Sequence, residues 1–181
     1  MRTLLLLLLS LHLSADIKQE MFGLYQNKKF NKVCSIGFNN FKNNKKDEEY
    51  VSLYAFACLY SDYIDRLAVP TAILKTTKES RANAAYFSVI LMQKKLLYHA
   101  MVDKYDLSEF TLPTTDYILS KVFDLYSKLG KHSPRKFYLF EDPNNSKLTY
   151  KLSLTTDYNK VHKIIIEEYY DTISINRHIY W

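Results

Sequence analysis

Glycine is scarce in this sequence, with 3 among 181 residues against an ordinary share of about 7%. Gly23, Gly37 and Gly130 are also far apart. Loops that cradle phosphates and the sharp turn of a serine-hydrolase nucleophile both need clustered glycines, so dinucleotide folds, P-loop enzymes and elbow-type hydrolases are excluded. Cysteine occurs twice, with no CxxC and no HxxxH spacing, which is too few ligands for a tetrahedral zinc shell. Long apolar runs are missing beyond the first residues. The best later candidate, Tyr86 to Met92, is stopped by Gln93, Lys94 and Lys95, far short of the roughly 20 residues a membrane helix needs. No zinc-finger, RNP-type or basic-helix pattern is present, so nucleic acid is not an expected partner.

What is there begins with MRTLLLLLLSLHLSADI. A basic Arg2, an apolar run from Leu4 to about Leu13 and the small residues Ser14 and Ala15 make the pattern of a secretory signal peptide. Residues 1–15 are expected to be removed and the remainder to be periplasmic or secreted, although Leu13 is larger than the residue usual at that place in a cleavage site. The hydrophobic share of 48% is enough to bury a core in one domain or two small ones.

The formal net charge is +6 and falls by one when Arg2 leaves with the leader. Lysine, asparagine, isoleucine, phenylalanine and tyrosine are all abundant, a codon-driven bias that raises charge with no ligand involved. Placement carries more information. Residues 16–46 hold seven lysines, and the acids Asp47, Glu48, Glu49, Asp62 and Asp65 follow without a base. Such alternating blocks are the habit of packed surface helices.

Apolar spacing is helical from residue 17 to 129. Met21, Leu24 and Tyr25 lie in a first run ending near Asn27, and Phe30, Val33, Cys34, Phe38 and Phe41 lie in a second. FKNNKKDEE then reads as a loop, and Tyr50, Leu53, Tyr54, Ala57, Cys58, Tyr60 and Ile64 recur at three- and four-residue steps, the mark of an amphipathic helix. Pro70 suits the first turn of a short helix reaching about Lys78. Residues 80–103 form the most apolar helix, and Asp116 to Leu129 form a last one, capped by Thr114 or Thr115 and stopped by Gly130 and Pro134. Beyond Ser133 the period becomes two. Phe137 to Phe140, the turn EDPNNS, and Leu148, Tyr150, Leu152 and Leu154 predict a hairpin, with Val161 to Tyr169 and Ile173 to Tyr180 as two further strands. The expected fold class is α+β: a helical body over 16–132 followed by a small antiparallel sheet over 133–181.

Cys34 and Cys58 occupy equivalent levels if the helices on either side of Lys45 and Lys46 run antiparallel. Helix axes normally lie about 8 to 10 Å apart whereas a disulfide needs Cα atoms within about 7 Å, but Gly37, Ala55 and Ala57 permit close approach. Export favours oxidation. A disulfide and a pair of packed thiols are the two alternatives.

Catalytic candidates are thin. His99 and Asp103, one helical turn apart, have the spacing of a base with its orienting carboxylate, yet on so apolar a helix they read as a surface pair. His162 and His178 face each other if the last hairpin turns at Tyr170, but no third metal ligand is placed. Glu167 and Glu168 fall on opposite faces of a strand, which does not suit paired-carboxylate hydrolysis. Sixteen tyrosines and ten phenylalanines read as core more readily than as a sugar platform. No catalytic, cofactor or metal residue is assigned.

An offset of 34 residues aligns Leu24 with Cys58 and Met92, Phe30 with Ile64 and Tyr98, and Cys34 with Ala68 and Val102. LYQNKKFNKVCSIGF thereby resembles the helix-turn-helix core of tetratricopeptide repeats, over residues 17–104. The family's small residues near the end of the first helix are mostly missing, and Pro70 falls within the second copy's second helix. The resemblance implies stacked helical hairpins with a concave face that binds peptide or protein segments.

Two functions compete. The first is a non-enzymatic exported interaction protein that presents a helical groove to another envelope protein or peptide segment. The second is a module for an anionic envelope polymer on a basic C-terminal face made by Arg135, Lys147, Lys151 and Lys163. An aromatic, apolar groove favours the first, a continuous basic face the second, and a deep pocket with convergent His or carboxylates an enzyme.

Overall fold

The computed structural model describes residues 17–181; the expected leader, residues 1–15, lies outside them. The chain is α+β, with helices in its N-terminal part followed by a four-stranded antiparallel sheet. It divides into two units, one reaching to Ala85 and one spanning Tyr86–Trp181.

In the first unit, α1 covers residues 17–26 and α2 runs Phe30–Asn39. The turn between them is set by Lys28 with φ 56° and by the Lys29 N–H donating to the Leu24 carbonyl. The stretch expected as a loop holds a short helix, α3, Phe41–Asn44. The following helix, α4, Glu48–Leu59, begins earlier than its apolar spacing indicated. Asp47 explains the early start: its carboxylate accepts from the N–H groups of Glu49 and Tyr50 at 3.0 and 3.1 Å, the donors a helix leaves unpaired at its first turn. A 3₁₀ turn, Ile64–Leu67, leads into α5, Ala68–Ile73, which is shorter than expected and carries Pro70 in its first turn. Glu48 then ties the connection down. Its carboxylate accepts from the N–H groups of Lys75 and Thr76 and from the Thr76 hydroxyl, the last at 2.6 Å.

Helices α2 and α4 run antiparallel and unusually close. Cys34 and Cys58 form a disulfide with Cα atoms 4.8 Å apart, and further along the Tyr50 hydroxyl donates to the Gly37 carbonyl at 2.9 Å. Val33, Val51, Ala55, Ala57, Leu59 and Leu67 are fully buried around this contact.

Helix α6, Lys78–Asp103, is continuous and crosses from the first unit into the second. The 34-residue offset would put a turn near Lys95, well within it. The second unit holds the later turns of α6, then α7, Ile118–Ser127, and strands β1, Phe137–Asp142, β2, Asn145–Thr156, β3, His162–Tyr170, and β4, Ile173–Tyr180. Helix α7 starts two residues later than expected, and neither Thr114 nor Thr115 caps it. Tyr117 occupies the cap position without a side-chain bond, while Thr115 serves the Tyr117 N–H from its hydroxyl at 3.3 Å. Gly130, at φ 65°, ends the helical segment in the left-handed region that glycine adopts at no steric cost.

The strands form a meander in the order β1-β2-β3-β4. Because side chains alternate, Tyr138, Leu152 and Ile166 fall in one row on the buried face, while Leu139, Lys151, Glu167 and Arg177 fall in one row on the other. The later turns of α6 and helix α7 serve the buried face. Tyr126 packs edge-on to Tyr138 with centroids 5.1 Å apart, the hydroxyls of Tyr117 and Tyr180 meet at 3.2 Å, and Tyr98 donates to the His162 carbonyl at 3.1 Å. Asp142, almost fully buried, accepts a hydrogen bond from the Tyr150 hydroxyl.

Candidate functional site

The first unit carries an aromatic groove between α1 and α4. On α1, Lys18, Phe22 and Tyr25 stand at four- and three-residue steps; on α4, Glu49, Leu53 and Phe56 do the same. Steps of three and four put each set on one face of its helix, and the two faces converge on an open groove. Phe22 is 53% exposed at its rim. The apolar surface continues beyond the groove, because Phe30 lies 5.0 Å from the rings of both Tyr25 and Tyr60, and Phe56 lies 6.3 Å from Tyr60. Burial among these rings, with Tyr60 beside it, pushes the Tyr25 phenol up to about 12. One end of the groove is charged: Lys18 donates to Asp47 at 3.0 Å and to Glu49 at 2.8 Å.

Phe22 and Phe56 were not singled out by periodicity, since both fall beside the stripes that form the core, next to Met21 and Ala57. Surplus aromatics flanking an already complete apolar stripe were the available signal. Helix α4 is apolar nearly all round, which a helix packed on one side does not require.

The cysteines expected as a disulfide or packed thiols are disulfide-bonded. Lys147, Lys151 and Lys163 do share the outward face of the sheet, but each has a carboxylate partner. Lys147 meets Asp171 at 3.4 Å, Lys151 meets Glu167 at 2.8 Å, and Lys163 meets Asp157 at 3.1 Å. Arg135 stands apart, with its guanidinium 5.7 Å from the centroid of the Tyr138 ring.

His99 and Asp103 do pair, at 2.8 Å, with both side chains about half exposed. His162 and His178 are not brought together. The last hairpin turns at Asp171 and Thr172, both with positive φ, so His178 stands opposite Ile166 and His162 opposite Thr156. Glu167 and Glu168 occupy opposite faces as expected. Glu168 accepts from His178 at 3.0 Å, and that bond holds its carboxyl below the usual range. Among the described residues no group of three or more His, Cys, Asp or Glu side chains is placed to hold a metal, and no helix is long and apolar enough to cross a membrane.

No family model matches this chain, and neither does any curated protein or solved structure.

Proposed function

We propose that this chain is an exported, non-enzymatic interaction protein that seats an amphipathic helical segment of a partner protein in the groove between α1 and α4. The observation that carries this reading is the pair of converging stripes, Phe22 with Tyr25 and Leu53 with Phe56, beside an exposed carboxylate at Glu49. A groove of this kind takes the apolar face of a helix through residues at three- and four-residue steps. The charged end of the groove, where the two carboxylates of Asp47 and Glu49 share the one ammonium of Lys18, keeps a net negative charge that matches a lysine or arginine at one end of the incoming helix. The resemblance to tetratricopeptide hairpins implies the same kind of ligand. Export is supported by the leader pattern in the sequence and by the Cys34–Cys58 disulfide, a bond that persists in oxidising compartments. The basic-face reading draws less support, because Asp157, Glu167 and Asp171 interrupt the lysines.

A photo-crosslinking residue in place of Phe22, in the mature protein within its native compartment, tests the proposal. The expected result is one discrete adduct that maps to an amphipathic helix of another protein. It should disappear with Leu53→Asp and be missing when the crosslinker replaces Tyr158, which is 94% exposed. Equal adducts from both positions, or an adduct only to a second copy of this chain, overturn it.

A further inference from the structure

The second unit contains a cavity of about 280 Å³ that the groove reading does not use. Its apolar lining comes from Met101 near the end of α6, Leu107 after it, and Leu154 on β2. Lys104 sits at φ 63° immediately after α6, and this left-handed turn brings residues 105–108 around as one wall. A non-glycine residue holds that conformation only at a cost of about 1 kcal/mol or more.

The opposite wall is rigid and aromatic. The rings of Tyr126, His132 and Tyr138 meet edge-on with centroids 5.1 to 5.3 Å apart. Hydrogen bonding fixes them further. The Gly130 carbonyl can only accept, so the His132 Nδ1–H donates to it at 2.7 Å, while Nε2 meets the Tyr138 hydroxyl at 3.1 Å. That hydroxyl accepts in turn from the Arg135 N–H at 3.2 Å. Both ring nitrogens of His132 and the Tyr138 hydroxyl are thus committed to positioning this wall.

The charge around the cavity is unbalanced. Lys104, Lys131 and Arg135 line it against one carboxylate, Asp106. Among the described residues these three cations make no ion pair, in contrast to Lys147, Lys151 and Lys163 on the sheet. The Ser108 N–H, donating at 2.9 Å, and the charge of nearby Lys131 hold the Asp106 carboxyl below its usual range, so three cations at the rim face one carboxylate. An apolar and aromatic hollow with an excess of cations over carboxylates at its rim suits a ligand of the complementary kind: a ring or short aliphatic body inside, and an anionic head outside. At 280 Å³ the space takes one or two rings.

We propose that this cavity is a binding site for a small organic anion with an aromatic or aliphatic body, held by Lys104, Lys131 and Arg135 at its head and by Tyr126, Tyr138 and Leu107 along its body. The site is separate from the helical groove and does not depend on it.

Titration of the isotope-labelled protein with 2-naphthoate, followed by amide chemical shifts, tests this. Shifts are expected at residues 104–108 and 130–135, and not around Phe22 and Phe56. 2-Naphthylmethanol, with the same rings and no charge, should bind at least about tenfold more weakly, as should inorganic phosphate, which has the charge and no rings. Lys131→Gln with Arg135→Gln should weaken 2-naphthoate by about tenfold or more, whereas Lys147→Gln with Lys151→Gln should leave it unchanged, since those lysines lie away from the cavity. No binding at millimolar 2-naphthoate, equal binding of the neutral analogue or of phosphate, or equal effects from the two double substitutions overturns the proposal.

Discussion

Gly37 lies directly against the side chain of Tyr54. A Cβ at Gly37 would stand 2.5 Å from Tyr54 Cδ2 and 2.9 Å from Tyr54 Cβ, closer than real carbon atoms approach. The second distance matters more, because the Tyr54 Cβ cannot move without the α4 backbone. Gly37 is therefore what lets α2 and α4 approach to the separation at which Cys34 reaches Cys58.

Gly37→Ala should destabilise the protein despite the roughly 1 kcal/mol that alanine gains over glycine inside a helix. Overpacking costs about 1 to 3 kcal/mol, and here the obstruction includes an atom attached to backbone. The melting temperature should fall by several degrees. In a Tyr54→Gly background, which removes the obstructing Cβ as well as the ring, the same substitution should cost less, and a double-mutant cycle measures the coupling. Simple additivity would show that the close approach is not limited by this contact.

Replacing Cys34 and Cys58 with serine should lower stability by about 3.5 kcal/mol, the chain-entropy expectation for a loop of this length. Denaturant unfolding of the variant, or of the native protein with and without reductant, measures the loss. An unchanged midpoint would mean that α2 and α4 are held equally well by packing alone.

Asp142 and Tyr150 should make stability sensitive to acid. The Tyr150 hydroxyl bond, together with the N–H groups of Asn144 and Asn145 and the nearby Lys121, holds the Asp142 carboxyl below its ordinary value. A group whose value is depressed on folding contributes stability above its unfolded value, about 3.9, and loses it as pH falls through the lower folded value. Tyr150→Phe should cost about 1.5 to 3 kcal/mol near neutrality, the range for a hydrogen bond to a charged group, and the difference from the native protein should shrink below about pH 4. A difference independent of pH down to pH 2 would refute the assignment.

Glu48 makes a local prediction of the same sign. Its bonds from the Thr76 hydroxyl and from the Lys75 and Thr76 N–H groups hold its carboxyl down at about 2. Glu48→Ala should therefore expose those two amides, raising their hydrogen-exchange rates by about tenfold or more with little change in core amides. In the native protein the same protection should persist to low pH and fade only as pH approaches about 2. Unchanged exchange at Lys75 and Thr76 would show that the connection is held by other contacts.

Much of the architecture was readable in the chain because it depends on short spacings. Three- and four-residue steps marked α2, α4 and α6, alternation marked β1 and β2, and Gly130 marked the end of the α7 segment; each rests on backbone geometry that acts over a few residues. The level placement of Cys34 and Cys58 followed from the same source, since a short connection between antiparallel helices fixes which residues stand level; the close approach of α2 and α4 decided between a disulfide and packed thiols. Boundaries were less readable where a side chain overrides apolar spacing, as Asp47 does at the start of α4.

The charge balance of the sheet was a matter of tertiary structure. Lys151 acquires Glu167 as a partner only through strand pairing across 16 residues, and His178 meets Glu168 instead of His162 because the turn falls at Asp171 and Thr172, which shifts the register. The cavity draws on residues from 100 to 154, and the groove on two helices separated by α2 and α3. Composition gave this sequence its aromatic rings and its lysines; which of them meet was decided by contacts that no local period encodes.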